Sequence, residues 1–125
     1  MSAPNLVNVS TITLKQVGVA LNTTLTTNLL ANAASSGKVF KITSILVSNV
    51  DGTNTAAVSL DFHTDADGTS GTSFAIASTV SVPADASLVV LDKNTPIYLE
   101  EDRCILGGAS ANSDLECLIT YEEIS

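Results

Sequence analysis

The chain reads as an all-β protein, a two-sheet antiparallel sandwich of jelly-roll or immunoglobulin-like type. Three observations carry that reading. From residue 38 onward, short runs rich in Val, Ile, Leu and Thr follow one another at roughly ten-residue spacing, enough for about seven or eight strands. Each run is closed by turn chemistry, as at Asp51-Gly52, Asp67-Gly68 and Pro83-Ala84-Asp85. No stretch keeps a helical period for more than a turn.

Residues 6–30 are the least regular part. Val7, Val9, Ile12, Leu14, Val17, Val19 and Leu21 alternate with other residues, but the phase slips near Lys15-Gln16, which predicts two short strands or a bulge. Residues 22–28 suit a strand with a polar outer face, and residues 29–34 have helical propensity for one turn at most. Ser35-Ser36-Gly37 is a turn. Residues 39–50 are apolar on both faces toward their middle, as a central strand of a sandwich is. Residues 57–64 show the cleanest period of two, assigning Val58, Leu60 and Phe62 to the core and Ser59, Asp61 and His63 to an exposed polar face. Residues 65–71 form a loop, 74–82 a strand that brings Phe74 and Ile76 to the core, and 83–85 a tight turn whose proline presets the backbone. Two short strands, 88–91 with Val89 in the core and 97–99, flank the loop 92–96. Residues 104–109 are expected to pair with 115–121 as a closing hairpin, with Leu115, Cys117, Ile119 and Tyr121 facing inward. There is no internal repeat.

A length of 125 residues fits a single domain over 1–125, in which residues 1–30 are either its first strands or an extended N-terminal arm. Only five aromatic residues and no Trp are present, so the core is aliphatic and thin. The net charge of −8 opposes binding to phosphate backbones, which needs Lys and Arg to displace counterions, and predicts no nucleic-acid partner. The start Met-Ser-Ala-Pro-Asn lacks the basic and apolar regions of a secretory signal, and no apolar run is long enough for a membrane span, so no membrane partner is expected. Cys104 and Cys117 have neither metal-ligand spacing nor histidine neighbours. They are expected to be free, buried thiols, with a disulfide across the last hairpin as the alternative.

The vocabulary of catalysis is sparse. Asp65-Ala66-Asp67-Gly68 opens like a calcium loop, but Ile76 stands where such a loop needs its bidentate Glu. Asp51-Gly52 and Glu100-Glu101-Asp102 share the acidic character and read as ordinary turns. His63 is the single histidine, and no Gly-x-Ser-x-Gly turn accompanies it to make a nucleophile. Paired carboxylates for glycoside hydrolysis lack the tryptophan platforms of a sugar cleft. The expectation is therefore no enzyme, no catalytic residue, no cofactor and no metal.

Several blocks, in order along the chain, bear a resemblance to a known family. They are Lys38-Val-Phe-Lys-Ile-Thr-Ser-Ile-Leu-Val-Ser-Asn-Val-Asp-Gly-Thr-Asn54, Thr79-Val-Ser-Val-Pro-Ala-Asp85, Leu88-Val-Val-Leu-Asp-Lys93, Pro96-Ile-Tyr-Leu-Glu-Glu101 and Asp114-Leu-Glu-Cys-Leu-Ile-Thr-Tyr-Glu-Glu-Ile-Ser125. Over about two thirds of the chain this pattern resembles small virion structural proteins of tailed bacteriophages, especially of marine and cyanobacterial hosts. The sequence departs from that pattern at Arg103-Cys104 and Gly107-Gly108, where a polar turn and β-branched residues are usual. The resemblance implies a non-enzymatic particle component located in the virion. Decoration (cement) of the outer capsid shell, through contact with the major capsid protein, fits the small size and acidic charge best. A neck, tail or fibre component is the first alternative, and a calcium- or glycan-binding β-sandwich module the second. A sandwich with open sheet edges is further expected to be a homo-oligomer, a trimer, gripping its neighbours partly through residues 2–30.

Overall fold

A computed structural model describes residues 9–25 and 27–125. Among them there is no helix. Nine strands run as β1 (Ile12–Ala20), β2 (Thr27–Asn32), β3 (Val39–Asn49), β4 (Ala56–His63), β5 (Ser73–Val82), β6 (Ser87–Leu91), β7 (Ile97–Leu99), β8 (Arg103–Ala109) and β9 (Leu115–Ile124). One sheet has the order β1-β9-β3-β6, with β7 also on β3, and the other the order β2-β8-β4-β5. Every pairing is antiparallel.

β6 and β7 share one edge of β3, β6 beside its C-terminal half and β7 beside its N-terminal half. They act as one interrupted strand, so the sandwich has four positions in each sheet. The chain changes sheet at most connections, and only β4 and β5 are sequence neighbours that pair with each other. This is the strand order of a jelly roll. An immunoglobulin-type sandwich would instead keep its first two strands in one sheet.

The closing hairpin expected from the sequence is not formed. β8 pairs with β2 and β4, while β9 pairs with β1 and β3, so residues 110–114 cross from one sheet to the other. Apolar alternation with a short polar connection is the same for a hairpin and a crossover, and long-range pairing decides between them. Cys104 and Cys117 consequently lie in different sheets, and both are free and buried.

The core fills the space between the sheets. Ile42, Ile45 and Val47 of β3 and Leu115, Cys117 and Ile119 of β9 meet Val58 and Leu60 of β4 and Ile105 of β8. Phe40 and Tyr121 close one end, with ring centroids 5.0 Å apart. A bulge between Ile42 and Ser44 in the β3–β9 ladder explains how Ile42 and Ile45, three apart, both face inward. Four expected core positions change. Phe62 and Ile76 pack against the core only partly buried, Phe74 is 58% exposed and Val89 is 61% exposed. Phe74 lies near the start of edge strand β5, and register shifts in that ladder break its alternation. A further shift, in the β3–β6 ladder between Ile45 and Leu46, puts Val89 opposite the outward-facing Leu46.

Residues 12–30, read as an arm or as first strands, contribute β1 to one sheet and β2 to the other, and Leu21, Leu29 and Leu30 are buried. Residues 29–32 are strand, where one helical turn was the expectation. The phase slip seen near Lys15-Gln16 is not a break, because β1 keeps one register with β9 throughout. Ile12 and Leu14 simply belong to the outer face and Val17 and Val19 to the inner. The remainder of the supposed arm, residues 1–8, lies outside the described residues.

Candidate functional site

The two outer faces of the sandwich differ. On the sheet containing β8, outward-facing side chains are roofed by the chain's own loops. The loop 64–72 folds back over Cys104 and Leu106. Its Gly68 has a positive φ of 75°, and a Cβ there would come 2.9 Å from Leu106 Cδ2. Asn28 donates to the Ala66 carbonyl at 2.9 Å, Cys104 Sγ donates to the Asp65 carbonyl at 3.2 Å, and Arg103 donates to the Asp102 carbonyl at 2.9 Å and the Thr64 carbonyl at 3.3 Å. At the other end of the same face, residues 24–25 cross Gly108 so closely that a Cβ would stand 2.8 Å from Leu25 Cα.

That roof corrects the reading of His63. It is on the outer side of β4 with Ser59 and Asp61, as the period of two requires, yet it is only 6% exposed because the loop covers it. Its Nε2 donates to the Ser70 carbonyl, and its Nδ1 shares a hydrogen bond of 2.7 Å with Ser73 Oγ. The pair resembles a Ser-His dyad in composition only. No carboxylate orients the ring, and both ring nitrogens are occupied in tying the two ends of the loop together.

The acidic groups singled out in the sequence are engaged in the same way. Asp67 Oδ1 accepts from the Thr69 backbone N–H and hydroxyl, both at 2.8 Å, and Asp65 Oδ1 accepts from the Asp67 N–H at 3.2 Å. The hydrogen bonds from Thr69 hold the Asp67 carboxyl below its usual range. Asp51 is lowered likewise, first by the Thr53 N–H and then by Asn54, while its neighbour Asp114 is raised by desolvation and by the Asp51 charge. Glu101 accepts from the Gly37 N–H at 2.9 Å and Asp102 from the Ala66 N–H at 3.2 Å. Among the described residues no three His, Cys, Asp or Glu side chains converge on a point that could hold a metal ion. Burial pushes the Cys104 thiol up to about 11, with Asp65, Asp67 and Asp102 adding to the shift, and burial pushes Cys117 up to about 12. Neither is a nucleophile near neutral pH.

Among the described residues the outer face of the β1-β9-β3-β6 sheet is bare by contrast. Ladder registers place Gly18, Leu118, Leu46 and Val89 side by side across four strands, and Leu14, Glu122, Lys41 and Tyr98 form a second row. Gln16 and Thr120 lie between the rows, joined by a 3.0 Å hydrogen bond. Leu14, Leu118, Val89 and Tyr98 are all exposed. A shallow hollow opens over Gly18 and Ala20, walled by Leu46, Ser48, Glu116 and Leu118. Isolated exposed apolar residues are ordinary on a protein surface, but an aligned apolar row on an unroofed sheet is the form of an interaction surface. Sequence periodicity could have placed Leu118 and Leu14 on this face. The alignment with Leu46 and Val89 depends on bulges that the sequence does not reveal.

Comparison with protein-family models, with curated proteins and with solved structures finds no match to this chain.

Proposed function

We propose that the protein is a non-enzymatic structural component of a tailed-bacteriophage virion, a decoration protein that binds the outer capsid shell. The observation that carries this reading is the bare apolar row on one sheet of a sandwich whose other face is roofed. Among the described residues such a molecule presents one broad surface marked only by shallow hollows. The colinear resemblance of residues 38–54, 79–85, 88–93, 96–101 and 114–125 to small virion proteins supports it. So does the net charge of −8, which favours a position away from packaged DNA. The major capsid protein is the proposed partner, and Val89, Leu46, Leu118 and Tyr98 are the proposed contacts.

The test is co-purification. Mass spectrometry of intact particles should find the protein at a copy number near that of the shell protein, and recombinant protein should co-sediment with expanded shells. Val89→Asp, at an exposed position of an edge strand, should leave folding intact and weaken co-sedimentation by about tenfold or more. Particles that lack the protein after salt washing, or unaltered binding by the Val89 variant, would overturn the reading.

A further inference from the structure

Four strand positions lie at sheet edges, and three of them are interrupted. β2 is short and carries a register shift, β5 carries two, and the last edge is divided between β6 and β7. β1 differs. It runs for nine residues without a bulge or a proline, and its one charged residue, Lys15, faces the core side and is paired with Glu123 at 3.2 Å. Natural sheets guard free edges with charge, proline, bulges or brevity; of these β1 has only Lys15, whose charge is paired with Glu123 rather than left free at the edge.

The direction of its free backbone groups follows from the ladder. Thr11 and Ser125 exchange two backbone hydrogen bonds of 3.0 Å, and the Leu21 N–H donates to the Leu115 carbonyl at 2.9 Å. With one uninterrupted register between these points, odd-numbered residues of β1 turn their N–H and C=O toward β9. Ile12, Leu14, Gln16, Gly18 and Ala20 therefore direct theirs outward, and no described strand pairs with them.

Gly18 supplies an independent observation. A Cβ built on it meets only Leu118 Cδ1, at 3.9 Å, an ordinary contact, and its φ is not positive. The fold of the single chain thus has no need of glycine here, although glycine weakens a strand. Glycine within a strand marks a place where another group comes close. Four residues away on the same face, Leu14 is 76% exposed.

We propose that two copies of this chain join edge to edge through antiparallel β1 strands, about a two-fold axis at Gln16. Gln16 is the midpoint of β1, so this register uses every outward backbone group: Ile12 pairs with Ala20 of the second copy, Leu14 with Gly18, and Gln16 with its equivalent. Each Leu14 then lies over the missing side chain of the opposite Gly18 and enters the hollow walled by Leu46 and Leu118. Lys15 stands opposite Val17, so no like charges meet. The two sheets become one continuous sheet, and the apolar rows of both copies lie on a single face. This pairing deepens the proposed role by doubling the surface offered to the shell. It replaces the three-fold assembly expected from the sequence, because a strand paired with its own copy is two-fold by construction.

Sedimentation of the free protein tests the pairing without any shell, so its outcome is independent of virion binding. Wild-type protein at about 100 µM should be a dimer, twice the 12.8-kDa chain. Gly18→Val should weaken the dimer by about tenfold or more, with unchanged circular dichroism. Gln16→Pro should do the same, since it removes an outward N–H that the chain's own ladder does not use. Gln16→Cys should form an intermolecular disulfide under mild oxidation, because paired residues on antiparallel strands sit about 5.5 Å apart at Cα, within disulfide range. Thr13→Cys, far from its equivalent in this register, should not. A monomeric wild type, a trimer, an oligomer that survives both Gly18→Val and Gln16→Pro, or equal crosslinking at positions 13 and 16 would each overturn the proposal.

Discussion

A methyl group on Gly107 would come 2.5 Å from Leu29 Cδ1 and 2.8 Å from Leu60 Cδ2, deep between the sheets. Gly107→Ala should therefore destabilise the protein by about 1–3 kcal/mol through overpacking, measured by urea unfolding, whereas Gly18→Ala should not. Glycine at 107 and 108 thus has a packing cause on both sides of β8, Leu29 within and Leu25 without. Leu60 is fully buried, and its truncation to Ala should cost about 2–5 kcal/mol. Phe74→Ala should cost much less, because that ring stands at an edge. The two thiols set a pH dependence. Both are raised in the folded state, to about 11 and about 12, against about 8.5 in an unfolded chain. Their contribution is complete below the unfolded value and is lost as pH rises toward the folded values. Between about pH 9 and 11 the unfolded chain releases protons that the folded chain keeps, so stability should fall by roughly 1 kcal/mol per pH unit for each thiol. Comparing urea midpoints at pH 8 and pH 10 with those of a Cys104→Ala, Cys117→Ala variant isolates this effect, since other groups titrate alike in both proteins.

At the scale of elements, two buried asparagines fasten the places where the chain changes sheet. Asn32 ends β2, and its amide donates to the Lys38 and Leu99 carbonyls at 2.8 and 3.0 Å while Ser36 donates to its oxygen. Asn49 ends β3, donates to the Asn54 and Val82 carbonyls at 3.0 and 2.8 Å, and accepts from the Asp51 N–H at 2.9 Å. Asn49→Ala leaves buried carbonyls without donors and should cost about 1–3 kcal/mol, with the same result for Asn32→Ala. Nothing in composition or period marked these residues, since Asn beside a turn is as commonly exposed. The same limit explains which strands were legible. Residues 39–50 and 57–64 announced themselves because one face of each is continuously apolar. The partners of residues 104–109 did not, because periodicity reports a strand's faces and says nothing of its neighbours. His63 was placed on the correct side of β4 and misjudged only in exposure. Its cover is a loop, and loop trajectories leave no periodic trace. The bare face is legible in part: Leu118 and Leu14 follow from alternation, while Leu46 and Val89 depend on bulges.

For the molecule as a whole, the interleaving of distant segments governs what can be removed. Deleting residues 2–30 takes one edge strand from each sheet and exposes β8 and β9, so the truncated protein should unfold, and a cooperative melt with native circular dichroism would contradict this. Most contacts join residues far apart in sequence, which places folding in the millisecond-to-second range typical of such topologies; stopped-flow refolding checks it. The pairing of β1 with β9 has a mechanical consequence. Thr11 and Ser125 sit opposite each other at one end of that ladder, bonded in both directions. Tension applied through these two residues loads the hydrogen bonds one pair at a time, peeling the strands apart like a zipper, whereas tension along antiparallel strands held at opposite ends must shear many bonds at once. An optical-tweezer pull between positions 11 and 125 should therefore give way at low force, with β1 leaving first. A molecule built this way resists load poorly when it is drawn apart between residues 11 and 125.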